Sequence, residues 1–291
     1  MKRPMSSSKE TKVSHDSPIS GIYIPPQPGL FEQITACGAD LEKIGEVISV
    51  DPGLSAAVIK IVNSPAFGLA NRISSIPQAV IMLGVDRVVG ILKTLLLRES
   101  MVSLKTRLDM NLFWEISLSV ATVASTICRQ LNLAVADEAY TLGLFHNCGV
   151  PILASMYPDY QQVIEYSYSR EDGRITSEEF TKFGVHHAAA GYRVARVWNL
   201  PTVICMAVKN HHSVERLLDD QSIENPTLKT LICVLKMAED MVNLPEKLAQ
   251  CDVDFEWQKI GGQVLEFTGL SEYDYEDLRD AVRFTLGNEM P

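Results

Sequence analysis

Apolar residues in this chain recur at the spacing of an α-helix, and capping residues stand directly before the apolar runs. Asp40 precedes one such run, and Asp51-Pro52 precedes the next. Ser75 can cap a short helix that stops at Gly84. The sequence has no convincing run of alternating apolar and polar residues and no Asn-Gly hairpin signal between β-branched runs. These patterns predict an all-α fold.

Longer helical patterns occupy the rest of the chain. Asp86 can begin a helix through Leu96, and Asp109 opens another to about Leu131. Further helices are predicted over about 187–198, 201–212, 226–243, 254–268 and 273–286.

Two local details of the central region can also be predicted. Asp137 opens a helix that continues through Ile152, and Pro151 is expected to kink it. Thr176 and Glu179 have the spacing of a capping box, in which each side chain bonds the backbone N–H of the other residue.

The apolar pattern also suggests how the chain is divided. Residues 1–21 are polar with little to bury, which predicts a disordered tail. An N-terminal helical lobe is expected over 22–105 and a second lobe over 106–291, since the apolar stripe stops and charged residues appear near 103–109. No Pro- or Gly-rich linker separates them, so the two lobes are expected to pack together.

Charge argues against a nucleic-acid partner. The chain has 291 residues, with 36 acidic and 26 basic side chains and a formal net charge of −10. Such a chain repels a phosphate backbone, and no dense run of Lys and Arg is visible. We therefore expect no nucleic-acid binding.

Cysteine usage and hydropathy predict a cytoplasmic protein. The six cysteines include no CxxC pair and lie mostly in apolar segments, as free thiols in a reducing compartment do. The first twenty residues lack the apolar core of a signal peptide. The most apolar stretch, 88–97, is too short to cross a bilayer and contains Lys93, so no membrane insertion is expected.

Histidines are the residues most able to carry chemistry. Five of them fall in three helical segments: His146, His186, His187, His211 and His212. Helical bundles build metal sites from imidazoles on several helices, and carboxylates such as Glu239 and Asp240 could complete the ligand shell. Adjacent helical residues point about 100° apart, so at most one histidine of each pair is expected to face a given centre. Packing roles for these histidines remain the alternative.

Other catalytic signatures are missing from the sequence. It contains no GxxxxGK[ST] phosphate loop and no GxSxG nucleophile elbow. No local pattern supports a cysteine nucleophile either.

Two ordered motifs lie within residues 51–84. The first, DPGL followed by NSPAFG, covers 51–68, and the second, ISSIPQAVIMLG, covers 73–84. Together they resemble the opening half of an HDOD domain. The resemblance implies an all-α, two-lobed HDOD-like helical bundle with a degenerate HD-domain core.

The second half of the chain is similar to the HD-type portion of the same family. The segment GLFHNCG, 143–149, sits where relatives carry a GLLHDIG segment, and FGVHH, 183–187, sits where they carry GxDH. WNLP at 198–201 and the pair His211-His212 follow in the family order. The resemblance covers about 22–245.

Departures from the family pattern decide the expected function. Active HD phosphohydrolases hold metal with a first-helix His, a His-Asp doublet and a later Asp. Here the resemblance aligns those positions with Ile116, with His146-Asn147 and with the region of Glu239. The lysine that follows the doublet in HD-GYP enzymes aligns with Val150. Alkyl groups cannot bind a metal, and a water nucleophile needs a cation to lower its pKa.

The resemblance therefore implies a non-catalytic regulatory protein of bacterial signal transduction that contacts signalling protein partners. No catalytic residue and no cofactor is predicted. A residual site for a divalent metal (Fe, Mn or Zn) stays open, formed by His146, His187, His211, His212 and Glu239. Two alternatives also stay open: a metal-dependent phosphohydrolase with an altered ligand set, and a nucleotide or small-molecule sensor that uses the HD pocket.

Overall fold

The computed structural model describes residues 24–25, 28–38, 40–64, 67, 69, 72–171, 174–220 and 224–287. The predicted disordered tail, 1–21, lies outside these residues. The described residues form 17 α-helices and no β-strand, which confirms the all-α fold class. The helices are α1 (Gly29–Ala36), α2 (Leu41–Ser49), α3 (Pro52–Val62), α4 (Ile76–Leu83), α5 (Val85–Met101), α6 (Met110–Gln130), α7 (Ala136–Phe145), α8 (Gly149–Met156), α9 (Tyr160–Tyr168), α10 (Ile175–Phe183), α11 (His187–Val197), α12 (Thr202–Asn210), α13 (Val214–Asp219), α14 (Pro226–Met241), α15 (Leu244–Ala249), α16 (Phe255–Thr268) and α17 (Glu272–Leu286). The division into lobes at about 105 stays a prediction.

Capping side chains fix the starts of the early helices. Asp40, Asp51 and Ser75 each accept a hydrogen bond from the backbone N–H three residues further on, as predicted. Asp109 caps α6 in the same way. α5 begins at Val85, one residue before its predicted start.

The motif asparagine at the end of α3 closes a loop. The Asn63 amide donates to the carbonyl oxygens of Ile59 and Ile73, at 3.0 and 2.7 Å, and its oxygen accepts the Ile73 N–H at 2.7 Å. One side chain thus satisfies three backbone groups and holds the segment before α4 against the end of α3.

The kink predicted at Pro151 is wrong. The pattern from Asp137 to Ile152 divides into α7 and α8, separated by a turn at residues 146–148. Pro151 lies in the first turn of α8, where its missing N–H breaks no helical hydrogen bond. The break in the helix therefore falls on the His146-Asn147 doublet.

The capping box predicted for Thr176 and Glu179 is also wrong. α10 begins at Ile175 with Arg174 as its N-cap, so Thr176 already lies within the helix. Glu179 is fully buried and bonds side chains of other helices instead.

Four short helices, α1, α9, α13 and α15, carry no element prediction. They have between six and nine residues, which is too short for apolar periodicity to identify a helix.

α6 is the central core helix. It packs against α7, α14, α15 and α17. By length and composition it is the one helix in the described residues that could cross a membrane, yet 67% of its apolar window is buried inside the fold. A buried core helix of a soluble protein can have the same length and composition, so this helix is weak evidence for a membrane span. The absence of membrane insertion stays a prediction from the sequence.

Glycines permit two close helix contacts around the doublet turn. A Cβ on Gly143 would lie 2.4 Å from Ala121 Cα, so α7 can approach α6 only without one. A Cβ on Gly149 would lie 2.0 Å from the His187 carbonyl oxygen and 2.7 Å from Gly191 N. The start of α8 is therefore held against the start of α11, next to His187.

Candidate functional site

The histidines and the glutamate named from the sequence lie in one buried region. His146 follows α7, His187 is the first residue of α11, and His211 follows α12. His146 and His211 have ring centroids 5.5 Å apart, and those of His187 and His211 are 5.3 Å apart. Glu239 reaches the group from α14, with an oxygen 3.4 Å from His146 Nε2.

Two other named residues point elsewhere. His186 caps α11 by accepting the Ala189 N–H, and Asp240 pairs with Arg279 and Tyr275.

Both members of the His211-His212 pair face the centre, contrary to the expectation that only one would. His212 Nε2 lies 3.0 Å and His211 Nε2 3.3 Å from His187 Nε2. The expectation assumed a continuous helix over 201–212, but α12 ends at Asn210 and both histidines lie in the following turn. The turn removes the 100° separation between neighbouring side chains.

Each of these three imidazoles is fixed through its other nitrogen. Nδ1 of His187 lies 2.7 Å from a Glu179 oxygen, and Nδ1 of His211 lies 2.7 Å from the Val208 carbonyl oxygen. Nδ1 of His212 lies 2.8 Å from a Glu256 oxygen. Carboxylates and carbonyls only accept hydrogen bonds, so each Nδ1 carries a proton and each Nε2 faces the other two rings.

Three ring nitrogens this close together need a proton or a metal ion between them. Burial lowers the pKa of both His211 and His212 well below the ordinary value, and the neighbouring charges lower it further. Protonation of these two rings is therefore unfavourable near neutral pH. A metal ion bound to three nitrogens at 2.0–2.1 Å in tetrahedral geometry would place them about 3.3 Å apart. The separations of 3.0 and 3.3 Å from His187 Nε2 match this spacing for two of the three pairs, and one ligand nitrogen of each ring lies within 4.8 Å of the other two.

Glu179 is a site residue that sequence reasoning missed. It is fully buried and accepts hydrogen bonds from the Tyr160 hydroxyl and from the backbone N–H and Nδ1–H of His187. Burial raises the pKa of Glu179, but the interactions with His187 and Tyr160 outweigh burial and hold that pKa below its ordinary value. A carboxylate behind a histidine fixes its ring orientation and strengthens it as a ligand.

A second part of the region is an internal ion network. Lys236 is almost fully buried, and its ammonium donates to Glu239 at 2.7 Å and to Glu256 at 2.8 Å. Burial lowers the pKa of Lys236, but the two carboxylates outweigh burial and raise it above the ordinary value. The ammonium is therefore a permanent cation among these carboxylates. Glu256 belongs to both parts, because its other oxygen accepts from His212.

The doublet residues His146 and Asn147 each have a buried polar atom without a hydrogen-bond partner among the described residues. His146 Nδ1 donates to the Gly143 carbonyl oxygen at 2.7 Å. His146 Nε2, the nearby Glu239 Oε1 and Asn147 Oδ1 are buried without a hydrogen-bond partner among the described residues. Burial lowers the pKa of His146 to about 3.

The other positions in the expected ligand pattern are apolar core. Ile116 is 5% exposed and Val150 is fully buried. Both belong to the hydrophobic core, so neither position offers a polar group to the site.

A family model for the HDOD domain matches residues 24–214. The chain belongs to the HDOD family. This confirms the resemblance seen in the motifs. The match contains His146, His187 and the His211-His212 pair, whereas Lys236, Glu239 and Glu256 lie beyond it.

Solved structures share the HDOD fold at low sequence identity. A crystal structure of an HDOD domain protein of unknown function from Geobacter sulfurreducens aligns with a TM-score of 0.64 at 22% identity, covering 90% of this chain and 93% of that one. A protein named "Putative phosphohydrolase" from Shewanella amazonensis SB2B aligns with a TM-score of 0.64 at 19% identity, covering 92% and 93%. One named "Putative signal transduction protein" from Marinobacter aquaeolei VT8 gives 0.61 at 18% identity, covering 92% and 60%.

A curated sequence relative is an uncharacterized protein of Treponema pallidum (strain Nichols). It is 25% identical over 177 residues, which is 60% of this chain. The match spans about a third of that protein's length (34%).

Proposed function

We propose that this HDOD protein is a regulatory component of bacterial signal transduction that acts through protein contacts and does not hydrolyse phosphate esters. The observation that carries the proposal is the Lys236 ammonium between Glu239 and Glu256. These carboxylates already have a cation, and Ile116 and Asn147 replace two of the ligands that a hydrolytic metal would need. Without a metal at the His146-Asn147 doublet, no water of lowered pKa is available there as a nucleophile.

Exposed apolar side chains on α4 suit a protein partner. Ile81 and Met82 are 72% and 58% exposed on a short helix whose other face packs in the core. Apolar groups left in water on such a helix are common at sites of protein association. The signal-transduction name of the Marinobacter structure agrees with a regulatory role.

Complementation of a gene deletion in the native host tests this proposal. His146→Ala should restore the wild-type phenotype, since the role needs no chemistry at the doublet. The double variant Ile81→Asp, Met82→Asp should fail to restore it while the protein stays folded and abundant. Phe284→Asp is the matched control, because Phe284 is 91% exposed on α17.

A hydrolysis assay provides the opposing outcome. Purified protein with added Mn²⁺ should not hydrolyse p-nitrophenyl phosphate or bis-p-nitrophenyl phosphate. Hydrolysis by the wild type that is lost in His146→Ala would contradict the non-catalytic proposal and support the phosphohydrolase alternative.

We also propose that His187, His211 and His212 bind one divalent metal ion in a structural role. One ligand nitrogen from each ring lies within 4.8 Å of the other two, and each ring is oriented by an acceptor at Nδ1. Imidazole nitrogens suit Zn²⁺ and Fe²⁺ among the divalent ions. Such an ion would join the start of α11 to the turn after α12 and stabilise the fold by its binding free energy.

Elemental analysis after dialysis tests the metal proposal. About one equivalent of metal per chain is expected in the wild type and much less in His211→Ala. His186→Ala, which removes a histidine that caps α11 and lies outside the group of three, should keep the metal. Chelation should lower the melting temperature of the wild type, and Zn²⁺ should restore it. Wild-type protein that holds no metal and does not respond to Zn²⁺ would contradict the proposal.

A further inference from the structure

A broad cleft borders the histidine cluster on its outer side. Its volume is about 710 Å³, which lies in the range of small-molecule sites. The starts of α10, α11 and α16 line it, together with the ends of α9 and α12. His212 and Glu256 form part of its wall and connect it to the buried network.

The cleft is basic although the chain is acidic. Six cationic residues line it against two acidic ones, in a protein of net charge −10. The cationic residues are Arg170, Arg174, Arg193, Lys209, Arg216 and Lys259. One of the two carboxylates, that of Glu256, is turned inward to His212 and Lys236. The other, Glu215, lies 3.6 Å from Lys259, and Arg170 pairs with Glu178 beside the cleft, so the cations outnumber the carboxylates by six to three even when Glu178 is counted. Low-dielectric walls of one charge sign concentrate the field, so this cleft attracts anions.

Backbone groups add to the anion preference. α10 has nine residues and starts in the cleft, and no side chain caps its first turn. Ile175, Thr176 and Ser177 of this first turn line the cleft, and the helix dipole favours negative charge at this end. This contribution supplements the six cations.

Aromatic rings in the same cleft offer a surface for a planar group. Phe180 is 46% exposed, although large apolar side chains usually avoid water. Tyr192 also lines the cleft, with the Lys209 ammonium 5.1 Å from its ring centroid. Aromatic faces flanked by cations are the usual surroundings of a stacked base beside its phosphates.

We infer that this cleft binds a nucleotide, with the phosphates on its arginines and lysines and the base against Phe180 or Tyr192. The cleft's size suits one small molecule, and the net charge of the whole chain opposes a long polyanion. The inference goes beyond the proposed regulatory function by giving the protein a chemical input. It needs neither a protein partner nor hydrolysis.

Calorimetric titration of the full chain tests the inference, with ATP, GTP, adenosine and inorganic pyrophosphate as probes. ATP or GTP should bind, and added salt should weaken that binding. Adenosine should bind at least about tenfold more weakly, because it lacks phosphates, and pyrophosphate about tenfold more weakly, because it lacks a base.

Charge-reversal variants locate the site. Arg174→Glu combined with Arg216→Glu should weaken nucleotide binding by at least about tenfold. Arg107→Glu, an exposed cation outside the cleft, should leave it unchanged. Phe180→Ala should weaken ATP but not pyrophosphate. Absence of binding by either nucleotide at millimolar concentration, equal binding of pyrophosphate and ATP, or an unaffected double variant would each overturn the inference. These readouts are independent of the deletion phenotype that tests the regulatory role.

Discussion

Among the individual side chains of the site, the Glu179 carboxylate accepts hydrogen bonds from three donors on two other helices. It satisfies a tyrosine hydroxyl and two donors of His187 while having no contact with solvent. A buried carboxylate is tolerated because every donor around it is matched to an acceptor. Removing the charge leaves those donors without adequate acceptors and releases the His187 ring.

Replacing Glu179 with Gln should therefore destabilise the protein strongly. The amide keeps the shape of the side chain, but it has one acceptor oxygen and introduces two donors facing the existing ones. We expect the free energy of unfolding to fall by about 2–4 kcal/mol, measured by urea denaturation. Glu178→Gln, which removes a partly exposed partner of Arg170, should cost under about 1 kcal/mol. A loss below about 0.5 kcal/mol in Glu179→Gln would show that the carboxylate does not support the cluster.

Some of the site's side chains could be predicted from the sequence, and others could not. His146, His187, His211 and His212 could be found because they stand in motifs that resemble a family. Glu179 has the spacing of a capping box, so its local pattern gave a plausible but wrong role. Lys236 and Glu256 acquire their roles from contacts across 20 residues, and Glu256 from a further contact with His212 across 44. No local pattern contains those distances.

At the level of helices, the contact between α8 and α11 positions the site. It depends on Gly149, whose missing Cβ leaves room for the backbone of His187 and Gly191. Backbone atoms cannot rotate away as a side chain can, so an added methyl group must move one helix against the other.

Gly149→Ala should consequently cost more than about 3 kcal/mol in unfolding free energy or prevent folding. Gly262→Ala is the matched control, because Gly262 is an exposed residue of α16 with nothing within 4 Å of the added Cβ. That change should leave stability unchanged or raise it by up to about 1 kcal/mol, since alanine favours a helix over glycine. Thermal unfolding of both variants provides the comparison. Similar melting temperatures for the two would contradict the role assigned to the close contact.

Helix starts were predictable where a single side chain decides them, as at Asp40, Asp51 and Ser75. The break at 146–148 was not, because Pro151 offered a local explanation at the wrong position. The break is fixed instead by the packing of Gly143 on α6 and of Gly149 on α11. Both contacts join segments distant in the sequence, which periodicity does not detect.

The whole molecule carries ionisable groups in its interior as well as on its surface. Its surface is acidic on average, one cleft is basic, and several ionisable groups are buried in the region between α7, α12, α14 and α16. These buried groups titrate differently in the folded and unfolded chain, so they couple stability to pH. The direction of the coupling follows from their shifts.

Stability should fall as the pH is lowered from 7 to 5 in metal-free, chelator-treated protein. The pKa values of His146, His211 and His212 are lowered by burial, to about 3 for His146, whereas unfolded histidines titrate near 6.5. Below pH 6.5 these three histidines bind a proton each in the unfolded chain but stay neutral in the folded chain. Burial raises the pKa of Glu239, and it raises that of Asp254 to about 6, so the folded chain takes up two protons there first.

Of these groups, the unfolded chain thus binds three protons and the folded chain binds two. The extra proton on the unfolded chain lowers the free energy of unfolding by about 1.4 kcal/mol for each pH unit of acidification. Urea denaturation should therefore show a loss of about 2 kcal/mol between pH 6.5 and pH 5. In His146→Gln one of the three histidine contributions is gone, so the two sets of protons balance and the same pH change should have little effect. Wild-type stability that stays constant or rises toward pH 5 would mean that the buried histidines accept protons in the folded state. A proton shared among His187, His211 and His212 would then supply the positive charge that their geometry requires, in place of the proposed metal ion.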